Sequence, residues 1–421
     1  MSNGPMRGVK MLGLVVLLAL TIGGPTSIRA EEPIVIVLSW DGVRHDYLDR
    51  AHFPALKRME QQGIRAERLI PVFPSNTFPN HVALATGTHA DRHGIVNNVF
   101  RDSERGLYDY SKEADWLDAE PIWSAAERQG VRAATFFWVG SETDWSGTGA
   151  TFRMTPFDGD IGEAEKVDQI VAWLDLPAAR RPGLIMAWWH GADGVGHVKG
   201  PNHPGIVDQL ARQDAHLARL LAEIDDLDIW DHTTLMVVSD HGMTEVNEII
   251  EVRGPLENAG INAEVISAAA TATVFLKDPT TQPEALRVLR DIPEVVVYAA
   301  EDLPAELRIR HPSRNGDLML ITTPPRTFFQ PGLLQSVGHY VGGILLDWKL
   351  GMHGYTTDHP DMGAILLAMG RGVPKGVRIG PVDNIQVAPT IAKLLGIGPP
   401  AQAEGSPIPE FAADGDAIGR N

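Results

Sequence analysis

Three apolar, β-rich runs in this chain, at residues 34–40, 184–189 and 235–239, lead directly into residues that can bind a metal: Asp41, the segment His190-Gly191-Ala192-Asp193, and Asp240-His241. Continuous runs of this length, closed by turn residues such as Asp41-Gly42, are the pattern of strands buried on both faces. Between them, Val167, Ile170, Val171 and Leu174, then Leu210, Leu217, Leu220, Leu221 and Ile224, recur at helical spacing. Strand alternating with helix predicts an α/β fold, a mainly parallel sheet covered by helices on both faces. Such a sheet gathers the residues just past its strands into one crevice along the carboxyl edge.

Further along, residues 69–73 read as a shorter strand and 133–138 as another. After residue 73 comes Pro74-Ser75-Asn76-Thr77-Phe78-Pro79, then a helical stretch that stops at Gly87. Pro79 suits a first helical turn and Gly87 a stop, so Thr77 is expected at a helix N-terminus, with free backbone N–H groups aimed at whatever binds there. From about 244 to 351 the rhythm changes to short strands, 273–276, 295–298 and 318–322, among proline-rich turns. That stretch reads as a smaller inserted α/β subdomain. Core pattern resumes at 364–368 and in a helix near 390–395. Residues 31–243 and 352–400 are therefore expected to form the metal-binding catalytic core, and 401–421, rich in Ala, Gly and Pro, a loose tail.

Residues 1–30 read as a secretory signal peptide, with Arg7 and Lys10 before the apolar stretch 11–22 and a processing site at Ser27-Ile28-Arg29-Ala30. The apolar stretch is short for a bilayer span. The expectation is a periplasmic or secreted protein with no stable membrane insertion after cleavage. Cysteine is absent, so no thiol can serve as nucleophile or ligand and no disulfide can staple the exported chain. The formal charge of −18 becomes −21 once Arg7, Lys10 and Arg29 are removed with the leader. That field disfavours nucleic acid polymers and anionic membranes as partners.

The chemistry rests on residue types and spacing. Asp41 and Asp240-His241 follow strands, and carboxylate with imidazole suits zinc or a similar borderline metal. Asp193 and His197 stand four apart, with glycines at 191, 194 and 196 that let the backbone bend until both face one ion. His353 sits in Gly351-Met352-His353-Gly354. Each alone has an ordinary structural reading, as a turn aspartate, a Gly-rich loop or a packed histidine. Together they sort into two sets, Asp41, Asp240 and His241 around one divalent ion and Asp193, His197 and His353 around another. Thr77 is the remaining oxygen. A threonine hydroxyl is a weak nucleophile that a bound cation activates, so no separate histidine base is needed. The amides at the start of the Thr77 helix, with Asn98, can supply donors to the substrate oxygens the metals leave free.

These residues resemble the nucleotide pyrophosphatase/phosphodiesterase family of the alkaline phosphatase superfamily. The resemblance spans nearly the whole mature chain, from Leu38-Ser39-Trp40-Asp41-Gly42 to Leu394-Leu395-Gly396-Ile397. It includes Thr77-Phe78-Pro79-Asn80-His81, His93-Gly94-Ile95-Val96, Pro121-Ile122-Trp123, Phe137-Trp138-Val139-Gly140-Ser141, Ser239-Asp240-His241-Gly242-Met243 and Met352-His353-Gly354-Tyr355. It implies an alkaline-phosphatase-like three-layer α/β/α sandwich and two zinc ions on Asp41, Thr77, Asp193, His197, Asp240, His241 and His353. It further implies a transiently phosphorylated Thr77, Asn98 on a phosphoryl oxygen, and Phe78 and Phe157 stacked on a nucleobase or similar leaving-group body. The chain departs from nucleotide-cleaving relatives in having Asn76 where a lysine is frequent, Phe157 where an aromatic hydroxyl is frequent, and His190-Gly191-Ala192 before Asp193. These changes leave the ligand set intact and bear on nucleotide preference.

No Arg or Lys lies within the ligand motifs, the nearest in sequence being Arg44, Arg92 and Lys199. A doubly charged monoester normally needs such a cation, so a small phosphodiester is the expected substrate. A phosphonate or monoester hydrolase of the same superfamily and a non-catalytic phospho-ligand binder remain as alternatives. The binder is disfavoured because binding alone needs no hydroxyl aimed at phosphorus.

Overall fold

Along the first strand, β1 (Ile34–Trp40), Ile34, Ile36, Leu38 and Trp40 enter one apolar layer while Val35 and Val37 enter another. The period of two with both faces apolar places β1 in mid-sheet. The computed structural model describes residues 32–328 and 350–412, besides Met1. The leader expected over 1–30 lies outside the described residues but for Met1, as do 329–349 of the insert and the last nine residues of the tail.

Seven further strands complete the main sheet: β2 (Gly63–Ala66), β3 (Ala133–Phe136), β4 (Phe152–Met154), β5 (Leu184–Trp189), β6 (Thr233–Val238), β7 (Leu366–Gly370) and β8 (Val377–Ile379). Their order is β8-β2-β7-β6-β1-β5-β3-β4, with β7 alone running against its neighbours. The sheet is thus mainly parallel, as the strand–helix alternation predicts. Trp40 lies opposite Trp189, and Ser39 opposite Val238, so the chain leaves β1, β5 and β6 side by side at one edge. Helices Pro54–Gln62, Glu163–Leu174 and Gly205–Asp226 pack on one face, and α1 (Thr77–Thr86), Ile122–Arg128 and Val387–Leu395 on the other.

A second, antiparallel sheet is built from Ala263–Ala268, Thr271–Leu276, Leu318–Thr322 and Val295–Ala299. Its two faces do different things. Leu318 and Leu320 join Leu256, Ala285 and Leu289 of its own covering helices, while Met319 and Ile321 pack with Phe73, Phe78 and Tyr108 beside the start of α1. Arg314, 4% exposed, donates to Asp102 Oδ2 at 2.9 Å and to the Gly94 carbonyl at 2.6 Å, tying this region to the same wall.

Three segments differ from expectation. The strand at 69–73 shrinks to Leu69–Ile70, because Asn80 claims the backbone that follows: the Val72 N–H donates to Asn80 Oδ1, and Asn80 Nδ2 donates to the carbonyls of Pro74 and Asn76. The strand at 133–138 stops at Phe136, since Phe137 turns to φ +58° and Trp138 donates its indole N–H to the His81 carbonyl. The loose tail expected from 401 is ordered through 412. Ile408 and Phe411 enter the core beneath Val387–Leu395, and the Ala412 N–H donates to the Gly372 carbonyl. Two apolar anchors decide the matter where Ala, Gly and Pro composition does not.

Phe411 is fully buried. Phe411→Ala is expected to lower the unfolding free energy in denaturant titration by about 3–5 kcal/mol, whereas a loose tail gives a change within about 0.5 kcal/mol.

Candidate metal centre

Asp41, Asp193 and Asp240 share one edge because of the parallel pairing of β1 with β5 and β6. Gly191 makes the approach possible: at φ +60° its Cα lies so close to Asp41 that a Cβ there would stand 1.8 Å from the Asp41 carbonyl oxygen. That carbonyl accepts the Ala192 and Asp193 N–H groups at 2.8 and 3.2 Å. The chain then continues as a helix, α2 (Asp193–Lys199), not as the glycine-loosened loop the sequence suggests. The i, i+4 spacing of Asp193 and His197 on one helical face brings them together, with the His197 Nε2 3.2 Å from Asp193 Oδ1.

Six of the seven expected ligand side chains converge in two groups, and the seventh, Thr77, stands beside His241. Asp193, His197 and His353 form one, Asp41, Asp240 and His241 the other, and each can hold a metal ion. Nε2 of His353 lies 3.2 Å from Nε2 of His197 and 3.7 Å from Asp193 Oδ1. Nε2 of His241 lies 3.2 Å from Asp240 Oδ2, 3.7 Å from Asp41 Oδ1 and 3.1 Å from Thr77 Oγ1. Ligand atoms bound at about 2.0–2.1 Å to a tetrahedral ion stand roughly 3.3–3.4 Å apart, so both groups have the spacing of a coordination shell.

The donor atoms are also prepared for that role. Each histidine donates Nδ1–H to a backbone carbonyl, His197 to Gly351 at 3.0 Å, His353 to Ser75 at 3.1 Å and His241 to Gly242 at 2.8 Å. This leaves the Nε2 lone pairs facing inward. One oxygen of each aspartate, Asp41 Oδ1, Asp193 Oδ1 and Asp240 Oδ2, is buried without a hydrogen-bond partner. Their companions are occupied where the neighbours can be seen: Asp41 Oδ2 accepts the Trp188 indole N–H at 2.9 Å, and Asp240 Oδ1 accepts the Gly42 N–H at 3.0 Å. Orphaned buried carboxylate oxygens call for a cation. Burial, reinforced by Asp240 and Asp193, raises the Asp41 carboxyl well above its ordinary range; burial likewise pushes Asp240 up to about 7. Burial alone would lower His197, but Asp193 outweighs it and lifts the imidazole to about 9.

Thr77 opens α1, where the sequence puts it, and Gly87 closes the helix at φ +70°. The His81 ring locks this first turn, with Nδ1 2.9 Å from the Thr77 carbonyl and Nε2 2.9 Å from Ser39 Oγ on β1. Gly354, at φ +90°, lies against Asn76, and its N–H donates to the Ser75 carbonyl, which couples the His353 loop to the Thr77 loop. The expected amide donors at the helix start are partly spent. The Phe78 N–H donates to Asn98 Oδ1 at 2.8 Å, so the Asn98 NH2 is the end left for the cavity and the Tyr110 hydroxyl.

Beside Thr77 opens a cavity of about 400 Å³ lined by Phe78, Asn98, Phe157 and the two metal groups, together with Tyr110, Lys112, Phe137, Val139 and Trp188. Lys112 corrects the expectation about cations. Arg44 turns away to Asp46 and the Met243 carbonyl, whereas Lys112, which belongs to no motif, reaches the cavity from the chain after the hairpin Val99–Asp109. No local signal marks Tyr110 or Lys112; the fold brings them in.

Residues 35–356 match the profile of the type I phosphodiesterase/nucleotide pyrophosphatase family. A pyrophosphatase/phosphodiesterase of Schizosaccharomyces pombe is 31% identical over 394 residues, covering 87% of this chain and 77% of the relative. The bis(5'-adenosyl)-triphosphatase of Xenopus laevis is 27% identical and covered to 82% by 91% of this chain. An ectonucleotide pyrophosphatase/phosphodiesterase of Caenorhabditis elegans is 28% identical over 93% of this chain, which spans about half (53%) of that relative. In fold, the chain is similar to murine ectonucleotide pyrophosphatase/phosphodiesterase 5 in complex with AMP, with a TM-score of 0.78 at 24% identity over 87% of this chain and 96% of that one.

Metal binding at these groups must displace protons from Asp240 and His197, whose affinity for protons is raised. Calorimetric titration of the chelator-treated protein with Zn2+ is therefore expected to show proton release at pH 7 and an apparent affinity that rises with pH up to about 9. Affinity independent of pH and buffer would exclude these residues as the ligands.

Proposed function

The chain belongs to the type I phosphodiesterase/nucleotide pyrophosphatase family, with its alkaline-phosphatase-like α/β fold, and on that premise we propose a two-zinc phosphodiesterase/pyrophosphatase acting through a phosphothreonine at Thr77. Nucleotide-like or other small phosphodiesters are its substrates. The observation that carries this reading is the inward set of three Nε2 atoms and three orphaned carboxylate oxygens around the Thr77 hydroxyl.

Zinc ions held by the two groups would lower the pKa of the Thr77 hydroxyl and neutralise charge on the phosphoryl oxygens. Thr77 Oγ attacks phosphorus, one P–O ester bond breaks and the alcohol or nucleotide portion leaves with a proton; water then cleaves the phosphothreonine and restores Thr77. His241 Nε2, although 3.1 Å from Thr77 Oγ1, belongs to the ligand set and is not a free base. Asn98 donates its NH2 to a phosphoryl oxygen, held in orientation by the Phe78 N–H. Phe78 and Phe157 wall the space for the group esterified to phosphorus. Trp188 fixes Asp41 through its indole N–H, a support for a ligand carboxylate typical of metal centres. Export to the periplasm or medium, expected from residues 1–30, belongs to the same proposal; no helix among the described residues is long and apolar enough to cross a membrane.

Thr77→Ala is expected to cut turnover of bis(4-nitrophenyl) phosphate at least ~1,000-fold with metal content unchanged, while Thr77→Ser retains part of it. Chelation is expected to abolish activity and Zn2+ to restore it. Faster turnover of 4-nitrophenyl phosphate than of the diester would overturn the diesterase reading.

A further inference from the structure

Lys166, in the first turn of the helix Glu163–Leu174, is completely buried. A lysine in that position is rare unless its charge is closely paired. Here the pairing is loose. Glu163 Oε1 lies 3.9 Å from Nζ, and that oxygen already accepts the His190 backbone N–H at 2.9 Å and faces the His190 ring Nδ1 at 2.8 Å. Burial opposes ionisation of Glu163, but the His190 hydrogen bonds outweigh it and hold the carboxyl down to about 2. A carboxylate only accepts, so Nδ1 is the donor and has no lone pair for Nζ, 3.5 Å away.

The ammonium instead faces an aromatic ring. Nζ stands 4.5 Å from the centroid of Trp188 on β5, inside the range of a cation–π contact. Burial pulls the Lys166 ammonium down to about 8 against Glu163 and Glu165, which leaves it mainly charged at pH 7. The same indole donates its N–H to Asp41 Oδ2 at 2.9 Å, while Asp41 Oδ1 has no hydrogen-bond partner. A cation on the ring draws π density toward itself and leaves the N–H hydrogen more positive, so the two contacts reinforce each other. Lys166 belongs to neither metal group and does not line the cavity, so its influence passes through Trp188.

We propose that Lys166 is a positioning residue of the metal centre: its ammonium, seated on the Trp188 ring, orients and strengthens the indole N–H bond that holds Asp41 toward its ion. This rests on the two-metal reading above and extends it to a residue outside every ligand motif. The buried charge has a use that an apolar side chain of the same length cannot replace.

The test is a double-mutant cycle on Zn2+ affinity, measured without substrate by calorimetry of the chelator-treated full chain at pH 7. Trp188→Phe, which keeps a ring and loses the N–H, is expected to weaken one of the two Zn2+ ions by about 10- to 100-fold, the usual effect of removing a ligand's supporting hydrogen bond. Lys166→Met is expected to weaken the same ion by about three- to tenfold, the scale of a cation–π contact, and Lys166→Arg, which keeps a cation on the ring, by less than about threefold. The double variant with Trp188→Phe and Lys166→Met is expected to match Trp188→Phe within about twofold, because the indole N–H through which Lys166 acts is gone. Excess Zn2+ is expected to restore kcat of Lys166→Met on bis(4-nitrophenyl) phosphate, which a misfolded variant would not allow; Lys166→Gln takes its place if Lys166→Met does not fold. Zn2+ affinity unchanged in the neutral variant, or effects that multiply in the double variant, overturn the proposal and leave the diesterase reading standing. Affinities that follow the cycle in a protein that cleaves no phosphodiester overturn the diesterase reading alone.

Discussion

Three carboxylates, two of them buried, and three imidazoles crowd one edge of the sheet, and cation binding is what reconciles them. Burial and the Asp193 charge raise the cost of ionising Asp41 and Asp240, Asp240 adds to that of Asp41, and each of the three aspartates keeps one oxygen free of any hydrogen bond. A group so arranged is unfavourable without opposite charge. The rest of the local structure serves to hold these atoms in place. Backbone carbonyls of Gly351, Ser75 and Gly242 set the histidine tautomers, and the Gly42 N–H and the Trp188 indole occupy the other oxygens of Asp240 and Asp41.

The metal groups draw on distant parts of the chain. His353 arrives on a loop whose neighbour Gly354 donates to Ser75, two residues before Thr77, so placing the last candidate ligand also shapes the Thr77 loop. Asn80 shapes the same loop from within α1, and Asn384 reaches Asn80 from the far end of the chain. Ser39 on β1 is linked through His81 to the first turn of α1. Sheet, helix and late loop are thereby joined by hydrogen bonds around one threonine.

On the other side of Thr77 the cavity is shaped by the second sheet and the hairpin Val99–Asp109. Met319 and Ile321 pack toward Phe78 and Tyr108, and Phe78 meets Tyr110 edge-on at 5.1 Å. The two candidate metal groups and the outer cavity wall thus come from different elements: the carboxyl edge of the main sheet, with α2 and the His353 loop, carries the first, and the hairpin with its following turn carries Tyr110 and Lys112.

Local pattern was enough to read the parallel strands, the helix at Thr77 and the side chains that meet in the two candidate metal groups, because strand period, capping residues and metal-ligand chemistry are all written over a few neighbouring positions. Local pattern misread Asp193–His197 as a loop, since glycines at 194 and 196 weaken helix propensity and only packing against the Gly351 strand restores it. It also missed Phe411 in a tail of disordering composition, and it missed Tyr110 and Lys112 as cavity walls. Such roles depend on contacts between residues far apart in the chain, as between Trp188 and Asp41, and the side chain's type alone does not reveal the partner. Residue chemistry and short-range periodicity set which groups could bind metal; three-dimensional packing decided which of them meet, and what else shares their cavity.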